Sequence, residues 1–448
     1  MPTTRRFPLR LGAAAVALSL SVLALTGCGA GGSSGGGAAP AKGYTPGSLS
    51  KAYKGQQITV LLPPWGQLKP ALLAKFTAAT GVKVKMQSLA WDSIHDKVVT
   101  TEAAGQAPAD IVELDWTWVS QFGKAGWYTD LSKYLTKQQI SDSIGADAFV
   151  QGGKQIGLPY TLDFRGSTVD MTMLKKAGIS TPPKNWTELV SDAEAVKSKG
   201  IVKYPIGLPL AVLEGTSTPW YALTRASGGQ ILSKTGAPEF ANGPAATDAL
   251  ALIHTLYSKQ LVDPGSIGLS DQQVGDAYAG GANAIVLSTG PGSLSQFLDK
   301  GKSKIAGDEI VFTHIPGEKD DQGPTVGLEE ALSIPTQSAH KEAAAMFITW
   351  WMKTPQLVAA YKDPDLGSMP TTKAGLTALS ASHDLKSADT ILPMVGTIQA
   401  VVPGGTPTWY SKFSTAAAST IQSVALGHTT PQAGISSLTA QAKKIAAQ

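Results

Sequence analysis

The chain has 448 residues, a formal net charge of +4 and one cysteine. Three of its arginines, Arg5, Arg6 and Arg10, stand ahead of any acid, so the chain beyond residue 27 is close to neutral and gives no support to nucleic-acid binding. One cysteine excludes an intrachain disulfide and leaves stability to core packing.

The N-terminus reads as an export signal. A basic stretch precedes the apolar run LGAAAVALSLSVLALTG, which ends at Leu25-Thr26-Gly27-Cys28. That ending resembles a bacterial lipobox, in which cleavage leaves the cysteine first and its thiol carries diacylglycerol. Residues 1–27 are then a lipoprotein signal peptide and Cys28 the lipidation site. Residues 28–55, with GAGGSSGGGAAPAK directly after the cysteine, are a flexible tether to the membrane. The alternative is an ordinary signal peptide ending near a small buried cysteine, and the export route stays open. The remainder of the chain is too long for one ordinary core and implies two domains or lobes. No second apolar run of about 20 uncharged residues occurs, so no transmembrane span is expected.

QITVLL at 57–62 predicts a first strand, broken by Pro63-Pro64-Trp65-Gly66. Leu68, Leu72, Leu73 and Phe76 mark one helix face, ending near Thr80-Gly81. Alternation in VKVKM at 82–86 predicts a second strand, 91–104 a helix with Ile94 and Val98 inward, and 110–114 a third strand ending at Asp115-Trp116. This βαβαβ order predicts a parallel sheet with flanking helices, whose binding sites gather at the C-terminal strand ends. Further strands are expected at 164–169, 204–208, 283–287, 309–314 and 331–334. Helices are expected at 173–177, from Asn185 or Thr187 onward, at 247–258, at 340–353 and in two pieces after 409.

From 56 to the C-terminus the chain resembles the extracellular solute-binding proteins of ABC importers, in particular the large carbohydrate-binding group. The resemblance rests on phrases in family order: FTAATGVKVKM, Gly105-Gln106-Ala107-Pro108-Ala109-Asp110-Ile111-Val112, Gly157-Leu158-Pro159-Tyr160 with Asp163, Met173 to Ile179 followed by Pro182, Pro183 and Trp186, and Ala331 to Pro335 followed by Lys341-Glu342-Ala343-Ala344. It implies an α/β fold, a two-lobed periplasmic-binding-protein-like clamshell of type II, its lobes joined by multiple hinge crossings. One lobe would take 56–160 plus 312–363 and the other 164–308 plus 372–448, with crossings near 158–164, 308–316 and 362–373. It also implies a monomer that needs no cofactor and delivers its ligand to ABC permease subunits in the membrane.

Sugars present apolar ring faces and a girdle of hydroxyls, so a site for them needs aromatic plates beside carboxylates and amides. Trp65 follows the first strand directly. Asp115 and Trp116 end the third, although Asp115 could equally cap the helix beginning at 117. Trp91 and Asp92 follow the second strand. Tyr160 and Asp163 flank the first crossing, with Arg165 a possible structural partner for Asp163. Trp220 follows Ser217-Thr218-Pro219 at an expected helix start. Thr289 stands where relatives often carry a Trp. Glu329 and Glu330 replace glycines common in relatives and would bind hydroxyls or a cationic ligand, or form a solvated turn. Trp409 ends a Pro/Gly-rich loop. Trp350 and Trp351 belong to an apolar helix face and read as core.

His95, His254, His314, His340, His383 and His428 do not cluster, and no HExxH, P-loop or GxSxG pattern occurs. The expected function is capture of a mono- or oligosaccharide outside the cell, without catalysis, at the outer face of the cytoplasmic membrane. A lipid-anchored glycan hydrolase using carboxylates such as Asp115 and Asp163 is the runner-up, and a ligand-sensing scaffold a third reading. Glycerol-phosphate compounds or polyamines would also suit two large lobes. The absence of an Arg/Lys cluster at the strand ends argues against a phosphorylated ligand.

Overall fold

Gln57–Leu62, Lys83–Ser88 and Ile111–Asp115 pair in parallel, the first strand in the middle. Glu330–Ser333 adds antiparallel beside Ile111–Asp115, and Leu158–Thr161 closes the edge, giving a five-stranded sheet. Each parallel return runs through a helix, Pro70–Thr80 or Trp91–Ala103, as a parallel pair requires. The computed structural model describes residues 40–41, 43–319, 323–403 and 405–447. The expected signal peptide, Cys28 and most of the expected tether lie outside the described residues.

A second sheet holds Ile310–Thr313, Gly166–Asp170, Ile285–Thr289 and Ile206–Gly207, in that order. Gly166–Asp170 runs antiparallel to both neighbours. Four helices pack together in this half: Glu214–Ala226, Ala245–Ser258, Tyr410–Ala425 and Pro431–Ala446. Against the first sheet lies Lys341–Trp351, buried throughout from Ala343 to Trp351. Phe347 and Trp351 there meet Phe76 and Tyr160 in one aromatic core, which places Trp350 and Trp351 as core residues. The whole is a two-lobed α/β clamshell. Among the described residues no helix is long and apolar enough to cross a membrane.

Three stretches pass between the sheets and run side by side. The first joins Leu158–Thr161 to Gly166–Asp170. On one side Leu162 N donates to Met369 O at 3.0 Å and Ser368 Oγ to Tyr160 O at 3.1 Å. On the other, Arg165 N donates to Val326 O and Leu328 N to Asp163 O, both at 3.0 Å. The expected second crossing at 308–316, and with it a first lobe resuming at 312, needs correction. Phe312 and Thr313 pair with Thr168 and Ser167 of the second sheet, so the chain crosses only between Thr313 and Glu330. The crossing therefore lies within the polar, turn-rich stretch PGEKDDQGPTVGLEE and not before it.

The hinge is tight. A Cβ on Gly292 would overlap the carbonyl of Gly367, and one on Gly367 the carbonyl of Gly292. The loop after Ile285–Thr289 therefore lies backbone to backbone on the third crossing, an approach that only glycine permits.

Candidate functional site

The C-terminal end of Gln57–Leu62, the crossings and the loop after Ile285–Thr289 enclose a cavity of about 500 Å³. Trp65, Thr161, Asp163 and Glu330 line it from the first sheet and first crossing, and Pro364 to Gly367 with Met369 from the third. Asp271, Gln272, Asp276, Ser293 and Gln296 line it from the second lobe. A smaller recess of about 100 Å³ shares Arg165, Asp271, Gln272 and Gln296 and adds Ser288 and Thr289.

Glu330 is the junction of the first-lobe wall. Its Oε2 accepts from Trp65 Nε1 at 2.6 Å and from the Tyr160 hydroxyl at 2.7 Å. The antiparallel register sets Glu330 opposite Asp115, so both side chains share a sheet face with Glu113, two residues before Asp115. Three carboxyls crowded together, Glu113 and Asp115 buried and Glu330 half-buried at the cavity wall, resist ionisation. Burial first, then the charges of Asp115 and Asp163, push Glu330 up to about 8. Burial raises Asp115 to about 6, although Thr117 and Trp91 donate to it. Glu113 is fully buried, with the Tyr160 hydroxyl beside it. Burial, then Glu330 and Asp115, hold it well above the usual carboxylate range.

Asp163 sits at the first crossing with Arg165 Nη1 3.0 Å from its Oδ2, which is the expected structural pairing of these two residues. Burial raises its carboxyl and Arg165 opposes that. Gly290 packs so closely on Asp163 that a Cβ there would overlap the carboxylate. Lys302, the other cation of the lining, is ion-paired with Asp365.

Of the other candidates, Tyr160 is fully buried and reaches the cavity only through Glu330. Thr289 lies in the smaller recess, its hydroxyl 2.7 Å from that of Thr168, next to Ser288 in the left-handed region at φ 63. Asp115 caps the turn after its strand, its Oδ1 accepting from Thr117 N at 2.8 Å, and its Oδ2 takes Trp91 Nε1 at 3.2 Å. Neither Asp115 nor Trp91 lines the cavity. Trp116 crosses to the second lobe, its ring 5.0 Å from Tyr410 and its carbonyl accepting from Thr406 Oγ1 at 2.9 Å. Glu329 stands just ahead of the strand Glu330–Ser333, packed against Gly145 and Gly327, and burial raises it to about 8.

Trp220 needs correction. Trp220 is fully buried in the second-lobe core, where its Nε1 donates to Ala246 O at 2.9 Å and its ring meets Phe240. The helix starts at Glu214, a turn before the expected start, and contains Pro219, so its sixth and seventh residues face the core and not the strand edge. Trp409 is half-buried against Phe413 and Gly236 and lies outside the cavity lining.

Sequence reasoning missed the second-lobe wall. Asp271 and Gln272 open the helix Asp271–Ala279, whose capping box of Ser270 and Gln273 is legible as S-x-x-Q. It also missed Glu214, which accepts from the Tyr410 hydroxyl at 2.7 Å and which burial raises to about 7. Among the described residues no group of three or more His, Cys, Asp or Glu is arranged to hold a metal ion.

Two sheets joined by three adjacent crossings, with a polar cavity at the junction, define a hinged binding protein. The family model for bacterial extracellular solute-binding proteins matches residues 61–356, and the chain belongs to that family. It is 23% identical over 378 residues to a probable amino-acid ABC transporter periplasmic-binding protein of Sinorhizobium fredii, covering 78% of this chain and 84% of that one. Among solved structures, a solute-binding protein of Thermotoga lettingae bound with α-D-tagatose superposes with a TM-score of 0.76 at 23% identity, over 87% of this chain and 99% of that one. One from Agrobacterium radiobacter in complex with ribitol superposes at 0.77 and 20%, over 88% and 99%.

Proposed function

We propose that the protein captures a sugar or polyol outside the cell, closes its lobes over it and delivers it to the membrane permease of an ABC importer, without catalysis. The observation that carries this reading is the composition of the hinge cavity. It combines an indole, Trp65, with carboxyls and amides from both lobes, Glu330, Asp271, Gln272 and Gln296. Such a wall pairs hydroxyls while a ring face lies on the indole. Contacts to both lobes would shift the hinge toward the closed state.

The ketose and polyol held by the two structural neighbours support the same class. The Sinorhizobium relative is described as an amino-acid binder, and a free amino acid needs a cation for its carboxylate. Both cations of this cavity, Arg165 and Lys302, are ion-paired, with Asp163 and Asp365. A neutral polyhydroxyl ligand makes no such demand. The hydrolase reading loses its carboxylate pair, because Asp115 caps Thr117 and does not line the cavity. The lipid anchor at Cys28, the monomeric state and the position at the outer membrane face complete the proposal.

A thermal-shift screen of monosaccharides, polyols, oligosaccharides, amino acids and polyamines tests it. A ligand of the native state raises the melting temperature by mass action, about 2.7 kcal/mol at a hundredfold excess over Kd. The expected result is a rise with one or a few neutral sugars or polyols and no conversion of the ligand over hours. A rise confined to amino acids or polyamines, or breakdown of a glycan, would overturn the reading.

A further inference from the structure

The lobes also meet at a contact that the hinge cavity does not use. Trp116 follows the strand Ile111–Asp115 of the first sheet, and Tyr410 opens the helix Tyr410–Ala425 of the second lobe. Their rings lie 5.0 Å apart at 61°, an edge-to-face pair. Beside them the Thr406 hydroxyl, from the loop before that helix, donates to the Trp116 carbonyl at 2.9 Å. None of the three residues lines the hinge cavity. All three are buried, Trp116 at 7%, Thr406 at 4% and Tyr410 at 0% exposure, so water is excluded from the contact.

Each face is fixed by its own neighbours. Trp116 N donates to Glu329 O at 3.3 Å. Ahead of Thr406, Gln399–Ala400 pairs in parallel with Val326–Gly327 of the second crossing, and Val401 and Val402 are buried. The Tyr410 hydroxyl donates to Glu214 Oε1 at 2.7 Å and lies 3.2 Å from that of Tyr221. Two faces so held lose little further freedom when they dock. A hydroxyl-to-carbonyl hydrogen bond and an edge-to-face ring pair are each worth about fivefold in a two-state equilibrium. Asp115 and Asp92 of the first lobe act on Glu214 across the same contact. Burial raises Glu214 to about 7, and partial protonation there limits the repulsion.

We propose that Trp116 is a positioning residue that latches the lobes, its ring docked on Tyr410 and its carbonyl on Thr406, and thereby raises affinity for the hinge ligand without touching it. The latch increases the share of molecules whose two cavity walls already stand opposite each other, and apparent affinity rises with that share. This role presupposes the capture function proposed above, but closure itself can be read with no ligand present.

Small-angle X-ray scattering of the ligand-free protein reads closure as the radius of gyration. Thr406→Val keeps the side-chain shape and removes the donor, Thr406→Ser keeps a donor, and Trp116→Ala removes the ring. The wild type and Thr406→Ser are expected to share the smaller radius, and Thr406→Val and Trp116→Ala to be larger. Saturation with the sugar or polyol that emerges from the screen should return both to the wild-type radius, at an affinity weakened by up to about fivefold for Thr406→Val. An unchanged radius in both variants overturns the latch. So does a smaller one, which would place the contact on the side of the hinge that parts on closure. Expansion in Trp116→Ala alone, with Thr406→Val like the wild type, also overturns it by reducing Trp116 to a core side chain. Failure of every sugar in the screen beside the expected scattering would sink sugar capture and leave the latch standing.

Discussion

Glu330→Ala is expected to destabilise the empty protein by about 2–4 kcal/mol, while Glu330→Gln is tolerated and flattens the dependence of stability on pH. Alanine strips the acceptor from Trp65 Nε1 and from the fully buried Tyr160 hydroxyl, leaving two donors unanswered. Glutamine keeps an acceptor in the same place and resembles the protonated acid. The direction of the pH effect comes from proton counting. Burial and the neighbouring acids raise Glu330 from an ordinary 4.5 to about 8, so between those values the folded state holds a proton that the unfolded state has released. Stability therefore falls as pH rises through that window. Glu329, Glu214 and Asp115, raised to about 8, 7 and 6, act in the same sense. Melting temperature measured from pH 5 to 9 should decline in the wild type and decline less in Glu330→Gln, with the variant the more stable above pH 8. Parallel curves would remove Glu330 from the set of protonated groups.

Trp220→Ala is expected to cost about 3–5 kcal/mol of stability, the range for emptying a buried indole site, and to leave the affinity of the folded protein for its ligand within about twofold. The side chain is sealed between Phe240, Tyr221 and the helix Ala245–Ser258. Urea titration at constant temperature reads the first quantity, and ligand titration well below the unfolding midpoint reads the second. Unchanged stability with lost binding would return Trp220 to the cleft.

These two tryptophan-bearing sites show where the sequence is legible. The first sheet is readable from alternation and from breakers such as Pro63-Pro64, and Trp65 is readable at a strand end because nothing intervenes between strand and turn. Trp220 misleads because a proline usually marks the first helical turn, whereas here the helix begins five residues before Pro219. Asp115 carries two readings on one residue type, cap and ligand, and only the Thr117 distance decides for the cap. The second-lobe wall is illegible for a different reason. Asp271, Gln272 and Gln296 are ordinary polar residues near helix starts, and tertiary packing alone brings them opposite Glu330.

The most direct test of the central claim is a calorimetric titration of the sugar or polyol that emerges from the screen, on the wild type and on Trp65→Ala. A single site is predicted, weakened at least tenfold in the variant, as expected for an aromatic anchor at the centre of a site. Binding that is undiminished in Trp65→Ala would show that the hinge cavity is not where the ligand sits.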